Sequence, residues 1–399
     1  MARAQLADRS LFPTLQASVY LNHAAISPPS VPVVAAAQGA IDDMAARGVA
    51  SVERWMEQRQ ALREQVAAWL GTHEGAIGFP PGTTRGLVDI ALAIPWKPGD
   101  VIVCFEGEFP TNVTPWQTVA TRFGARVVRL PLDGFGDGSG HGMQRLEDTL
   151  ATHRVRLVAV SAVQFQTGLR MPVHAMAARC HAHGAELFVD AIQALGVVPL
   201  TVDGPDADDG IDYLVAGTHK WLMGLDGLAI AYASDRARDG LQPLTSGWLS
   251  LEDPLRFLFD GEGLLPYDHA VRTRLDWMEG GVQTTATFAA LGASLDLLLG
   301  LGIPTIYEHV QRWHDAIEPQ LLSRGFASAR ADEVAARSGT LSIRPPGPHS
   351  VSDVAAALGE RGIAVSTPDG WLRLAPHWPN DVDQVETVID AIDAGMDGS

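Results

Sequence analysis

Cysteine and lysine are both scarce in this 399-residue chain. Its two cysteines, Cys104 and Cys180, exclude a framework of disulfides, and a reducing cytoplasm is the simplest home for such a protein. No uninterrupted apolar run reaches the length of a membrane span. The first ten residues carry Arg3, Asp8 and Arg9 around no apolar core, so they do not read as a secretory signal. Basic charge is also in deficit. The net charge of −18 repels phosphate backbones and anionic membranes, which argues against nucleic acid or a membrane as partner. The acidic stretch over residues 203–212 reads as a solvated turn rather than a metal site.

The lysine deficit is the most informative. Of 29 lysines and arginines, only Lys97 and Lys220 are lysine. Arginine serves wherever surface charge is wanted, but its guanidinium cannot supply the free amine that attacks a carbonyl. Lys97 lies in Pro95-Trp96-Lys97-Pro98-Gly99-Asp100, an exposed turn by composition. Lys220 lies in Thr218-His219-Lys220-Trp221, between apolar segments. It is either a chance survivor or a chemical requirement.

What is present is the composition of a folded protein, 46% hydrophobic and 19% charged. From about residue 76, short apolar runs alternate with helical patterns, the signature of a mostly parallel sheet with crossover helices. Strands are predicted at Val101–Phe105, Arg126–Leu130, 157–163, Glu186–Asp190, 212–216 and 228–232. Helices at 111–123, 143–153 and 173–183 fall between them. The fold class is therefore α/β. The boundaries predicted are an N-terminal segment 1–30, a large domain 31–282, a linking helix 283–302 and a small α+β domain 303–399. Gly136-Asp137-Gly138-Ser139-Gly140 has no strand–turn–helix context and is not a phosphate loop.

Three segments carry chemistry. Gly82-Thr83-Thr84 opens a helix, where free N–H groups, two hydroxyls and the helix dipole suit a phosphate; an ordinary N-cap has the same look. Asp190 ends a strand in Asp190-Ala191-Ile192-Gln193, at the edge where open α/β sheets bind ligands; a helix N-cap would also explain it. Lys220 follows the next strand and so projects from the same edge.

In this order the three segments resemble the class V aminotransferases, a family of fold-type I pyridoxal 5′-phosphate (PLP) enzymes. It includes cysteine desulfurases, isopenicillin N epimerase-like proteins and kynureninase. The likeness runs from Val19-Tyr20-Leu21-Asn22 into the C-terminal domain. It implies a homodimer acting on an amino acid, with the active site between the domains and near the dimer interface. It makes Lys220 the Schiff-base lysine and catalytic residue, sets Asp190 against the pyridine nitrogen and brings Gln193 near the ring oxygen. It groups Gly82, Thr83, Thr84, Thr218 and His219 around phosphate and ring, with Thr284 contributed by the partner subunit. Phe109, in Glu108-Phe109-Pro110-Thr111-Asn112, matches the ring-stacking position, and Gln164, in Val163-Gln164-Phe165-Gln166-Thr167-Gly168, the pocket wall. Arg373, in Trp371-Leu372-Arg373-Leu374, matches the grip on the substrate carboxylate, which needs a planar fork, and Asn22 and His23 border the substrate.

Three departures bear on function. Residues 366–370, which match the loop carrying the desulfurase cysteine, contain none. Gly217 replaces a phosphate-binding serine, and Gly281-Val282-Gln283-Thr284 has lost the threonine that follows the glycine. The first expectation is an aminotransferase. A C–S lyase by β-elimination, an epimerase, a kynureninase-like lyase and a non-catalytic PLP sensor are the alternatives.

Overall fold

The computed structural model describes residues 4–204 and 209–397, so the acidic stretch 203–212 lies partly outside the described residues. The chain begins with a short strand, β1 (Val19–Tyr20), then two long helices, α1 (Val31–Arg47) and α2 (Val52–Leu70). Proline in the first turn of α1 costs no hydrogen bond, and Gly71 at φ 81° ends α2 in the left-handed backbone that glycine adopts freely.

The alternating region follows as β2 (Ile77–Gly78), α3 (Thr83–Ala93), β3 (Val101–Phe105), α4 (Thr114–Phe123), β4 (Arg126–Leu130), α5 (His141–Thr152), β5 (Val155–Ser161), α6 (Val173–Ala182), β6 (Glu186–Asp190), β7 (Tyr213–Gly217) and β8 (Ala229–Ala233). Seven strands make one sheet in the order β2-β8-β7-β6-β5-β3-β4. The five from β4 to β7 are parallel, and β8 and β2 add antiparallel at one edge. Every residue of β3, β7 and β8 is buried, which is why these strands read as unbroken apolar runs rather than alternating ones. In a parallel sheet all carboxyl ends open on one edge. The segments after β3, β5, β6 and β7 therefore meet there, although they are far apart in the chain.

Two short helices, α7 (Asp235–Arg238) and α8 (Arg256–Phe259), lead to α9 (Thr285–Leu301) and α10 (Ile303–Ser323). Residues 283–302, expected as a link, instead place Phe288, Leu291, Leu295 and Leu298 in the core of the large domain. A helix apolar on all sides is a buried helix. The bridging role falls to α10. Its Ile303, Ile306 and Val310 belong to the large core, and its Trp313, Ile317 and Leu321 to the small one.

The small domain holds β9 (Ala327–Ser328), β10 (Leu341–Arg344), α11 (Val351–Glu360), β11 (Ile363–Ala364), β12 (Leu372–Leu374) and α12 (Gln384–Asp397). Its antiparallel sheet has the order β12-β10-β9. The N-terminal segment joins this domain: β1 pairs in parallel with β11, and Val19 and Leu21 lie in the small core. The next residue, Asn22, bridges to Ala375, so the N-terminal loop reaches the sheet edge beside Arg373. No single helix among the described residues is long and apolar enough to cross a membrane.

Trp313 is buried at the joint between the two cores. Trp313→Ala is expected to cost about 3–5 kcal/mol, as large-to-small changes in a packed core do. Urea unfolding measures this, and a loss below about 1 kcal/mol would show that the α10 joint is not what holds the small domain.

Candidate active site

Lys220 is placed by the tight turn that leaves β7, where the Met223 N–H meets the Lys220 carbonyl at 2.9 Å and the Gly224 N–H meets that of Thr218 at 2.9 Å. Burial lowers the Lys220 amine to about 8; Asp190 pulls the other way, and Arg373 adds to the lowering. Asp190 ends β6, the strand beside β7. Burial raises its carboxyl to about 6, against the Ile192 N–H at 3.0 Å and the Lys220 charge. Amine and carboxylate thus share a water-poor edge, each shifted toward its neutral form.

A short way along the same edge lies a candidate anion seat. Gly82 caps α3 with φ 140°, and no heavy atom lies within 4 Å of where a Cβ would stand. No side chain caps the helix. The Thr83 hydroxyl is buried and has no hydrogen-bond partner, while Thr84 Oγ1 meets Thr111 Oγ1 at 2.9 Å. Gly217 lies against this seat. A Cβ there would stand 2.6 Å from Thr83 Oγ1, so a side chain at 217 would require the Thr83 hydroxyl to turn away.

The remaining expected residues divide. Phe109 follows β3 and is nearly half exposed, its ring centroid 5.7 Å from Lys220 Nζ. Gln164 is buried with its carbonyl oxygen unpartnered. His219 is lowered by burial and by Lys220. Gln193 is held inside the protein, donating to Ala24 O at 3.0 Å and accepting from Trp221 Nε1 at 2.7 Å. Thr218 is not brought to the seat: its hydroxyl turns to the carbonyls of Leu225 and Leu228, because those bonds close the turn after Lys220.

Arg373, on β12, is buried. It is tied by Nε to Ser366 Oγ at 3.1 Å and by one terminal nitrogen to Phe165 O at 2.8 Å, and burial lowers it to about 10. A buried guanidinium held only by neutral groups is matched to an incoming carboxylate. Asn22 has a buried, unpartnered carbonyl oxygen. His23 is buried against Tyr20 and His377, with Nδ1 at 2.8 Å from Ser27 Oγ. Thr284 stands exposed at the start of α9, beside a cleft shared with Pro81, Arg85 and Gly227. Two participants were missed from sequence. Phe165 packs edge-on to Phe109 at 5.3 Å and also supplies the carbonyl for Arg373; Glu108 lies buried beneath Gln164. Phe165, the single aromatic residue of 163–168, lay beside the expected Gln164, but nothing local announced Glu108.

Comparison with known proteins identifies the family. The profile of the class V aminotransferases matches residues 19–371. The chain belongs to the class V aminotransferase family. It is a PLP-dependent enzyme. Among relatives of this class V protein, an uncharacterised aminotransferase of Bacillus subtilis is 26% identical over 392 residues, covering 97% of this chain and 96% of that one. A probable cysteine desulfurase of Pseudomonas putida is 30% identical over 363 residues, covering 85% and 82%. The apo cysteine desulfurase of Thermococcus onnurineus has the same fold, with TM-score 0.85 at 23% identity over the whole of both chains. So does a cystine C–S lyase in complex with cysteine persulfide, with TM-score 0.85 at 19% identity over 96% of this chain and 98% of that one.

The residues present fit the cofactor this family uses. The unpartnered Thr83 hydroxyl and the open Gly82 helix start are what a phosphate requires. We assign Lys220 to the cofactor carbonyl and Asp190 to the ring nitrogen.

Only the neutral amine attacks a carbonyl, so the rate at which apo-protein takes up PLP is expected to rise with pH through about 8 and level off above it. Stopped-flow absorbance checks this; a midpoint near the ordinary lysine value of about 10.4 would contradict it. Gly217→Ser is expected to weaken PLP binding by roughly tenfold or more, the size of an overpacking penalty, and Thr83→Ala in the same chain to recover part of it. Equilibrium dialysis measures both.

Proposed function

We propose that this class V enzyme is a lyase that breaks a C–S bond at the β-carbon of an amino acid and releases the sulfur product into solution. One observation carries the choice against a desulfurase with an enzyme-bound sulfur. Cys104 lies within β3 and Cys180 within α6; both are fully buried, and burial raises both thiols far above their usual range. Neither can accept sulfur at the sheet edge. The names of relatives and of structural neighbours, cysteine desulfurases and a cystine C–S lyase, support the same class of bond.

PLP, when bound, supplies an electron sink for the charge left at the substrate α-carbon. Arg373 holds the substrate carboxylate, its orientation fixed by Ser366 and Phe165. The Lys220 amine, near 8, is poised to take the α-proton and return it. Phe109 offers a flat face, and Asp190 a carboxylate at the ring nitrogen. Loss of the α-proton sends the electron pair toward the β-carbon, the C–S bond breaks, and sulfur leaves as a thiolate or persulfide. Water then releases a 2-keto acid and ammonia, with no oxidant needed. Transamination is the second reading, favoured by the Bacillus relative's name across 97% of this chain. A homodimer is proposed with either, supported by exposed Leu244, Phe259, Leu265, Tyr267 and Val282, all within residues 244–282.

The holoenzyme supplied with L-cystine and no keto acid is expected to release pyruvate, ammonia and cysteine persulfide over many turnovers. Bleaching after one turnover that only a keto acid reverses would establish transamination instead. Lys220→Ala is expected to abolish turnover. Arg373→Ala is expected to raise KM by roughly tenfold to a hundredfold, the weight of a charged hydrogen bond.

A further inference from the structure

Glu108 sits between β3 and Phe109 and is buried. One carboxylate oxygen accepts the Ser161 backbone N–H at 2.7 Å and Gln164 Nε2 at 3.0 Å; the other accepts the Ser161 hydroxyl. One side chain thereby ties together the carboxyl end of β5 and the loops that carry Phe109 and Gln164. Ser161 is also the β5 residue in register with Asp190, and the Ala162 N–H meets Asp190 O at 2.8 Å. The assembly therefore abuts the ring end of the cofactor site.

We propose that Glu108 is a positioning residue that fixes the Gln164 amide so that its carbonyl oxygen, not its amino group, faces the bound cofactor. A carboxylate accepts and cannot donate, so the end of Gln164 that it holds must be the NH2. The other end, Oε1, is buried and meets no donor within the protein. Buried acceptors are costly when unmet, so the group that Gln164 faces is a hydrogen-bond donor. Burial raises the Glu108 carboxyl to about 7 while the Ser161 and Gln164 bonds hold it down, so the clamp needs those donors to stay ionised. The proposal rests on the chain being a PLP enzyme, and not on the bond it breaks.

The test is the pH titration of the absorption of bound PLP in the wild type, Glu108→Gln, Gln164→Ala and the double variant. An acceptor facing a proton-bearing group of the cofactor keeps the proton on, and a donor drives it off. Glu108→Gln releases the amide to turn, and the apparent pKa is expected to fall by about half a unit to one unit, one hydrogen bond's worth. In the Gln164→Ala background, Glu108→Gln is expected to add nothing. An unmoved titration in Glu108→Gln, or an equal shift in both backgrounds, overturns the proposal. If Glu108→Gln does not fold, Gln164→Ala decides by sign: loss of an acceptor lowers the apparent pKa, and a rise overturns the proposal. A wild type that takes up no PLP overturns the cofactor assignment, and this proposal with it. A wild type with the band and an unmoved variant overturns this proposal alone.

Discussion

Taking an amine out of water next to a carboxylate is what the rest of this structure is arranged around. Burial disfavours the Lys220 ammonium and the Asp190 carboxylate alike, and their mutual attraction only partly restores the charged forms. A lysine left in solvent would hold its proton at neutral pH and be a poor nucleophile. The sheet supplies the dry edge, its neighbouring parallel strands β6 and β7 set the two groups side by side, and the turn after β7 is cross-bonded so that Lys220 projects from it. Thr218 is committed to that turn, which is why its hydroxyl is unavailable to the anion seat.

The anion seat shows how a local packing constraint redistributes a function. With the Thr83 hydroxyl where it stands, the space beside it is closed to a side chain at 217. Glycine at 217 is then required by space rather than by backbone conformation, since its φ is not in the left-handed region. What looks from sequence like a missing phosphate ligand is a position whose side chain would displace the Thr83 hydroxyl.

The substrate end depends on both domains at once. Arg373 and Ser338 of the small domain donate to the carbonyls of Phe165 and Gly168, at 2.8 and 2.6 Å, and Ser342 donates to that of Gln166. Gln166 answers with a bond to Asp369 at 2.7 Å. The segment 165–168 of the large domain is therefore gripped by the small domain at the place where Arg373 presents its guanidinium. Any shift of one domain against the other moves the Arg373 guanidinium relative to Lys220.

The parts legible in the sequence were those governed by local rules. Apolar runs located six of the seven strands of the large sheet to within a few residues; the scarcity of lysine isolated Lys220; Gly82-Thr83-Thr84 announced a helix start; and strand ends placed Asp190 and Lys220 on one edge. The parts that were not legible depend on which surfaces meet. The all-round apolar pattern of 285–301 suits a linker and a core helix equally, and only its packing made it the latter. β1 belongs to the small domain because its partner, β11, lies more than three hundred residues away. The orientation of Gln164, the diversion of Thr218 and the exclusion between Gly217 and Thr83 are all decided by atoms from distant segments competing for one space or one hydrogen bond. Sequence by itself determined which residues were chemically able to serve; tertiary structure decided which of them are free to, because a side chain's hydrogen bonds and volume can be spent only once.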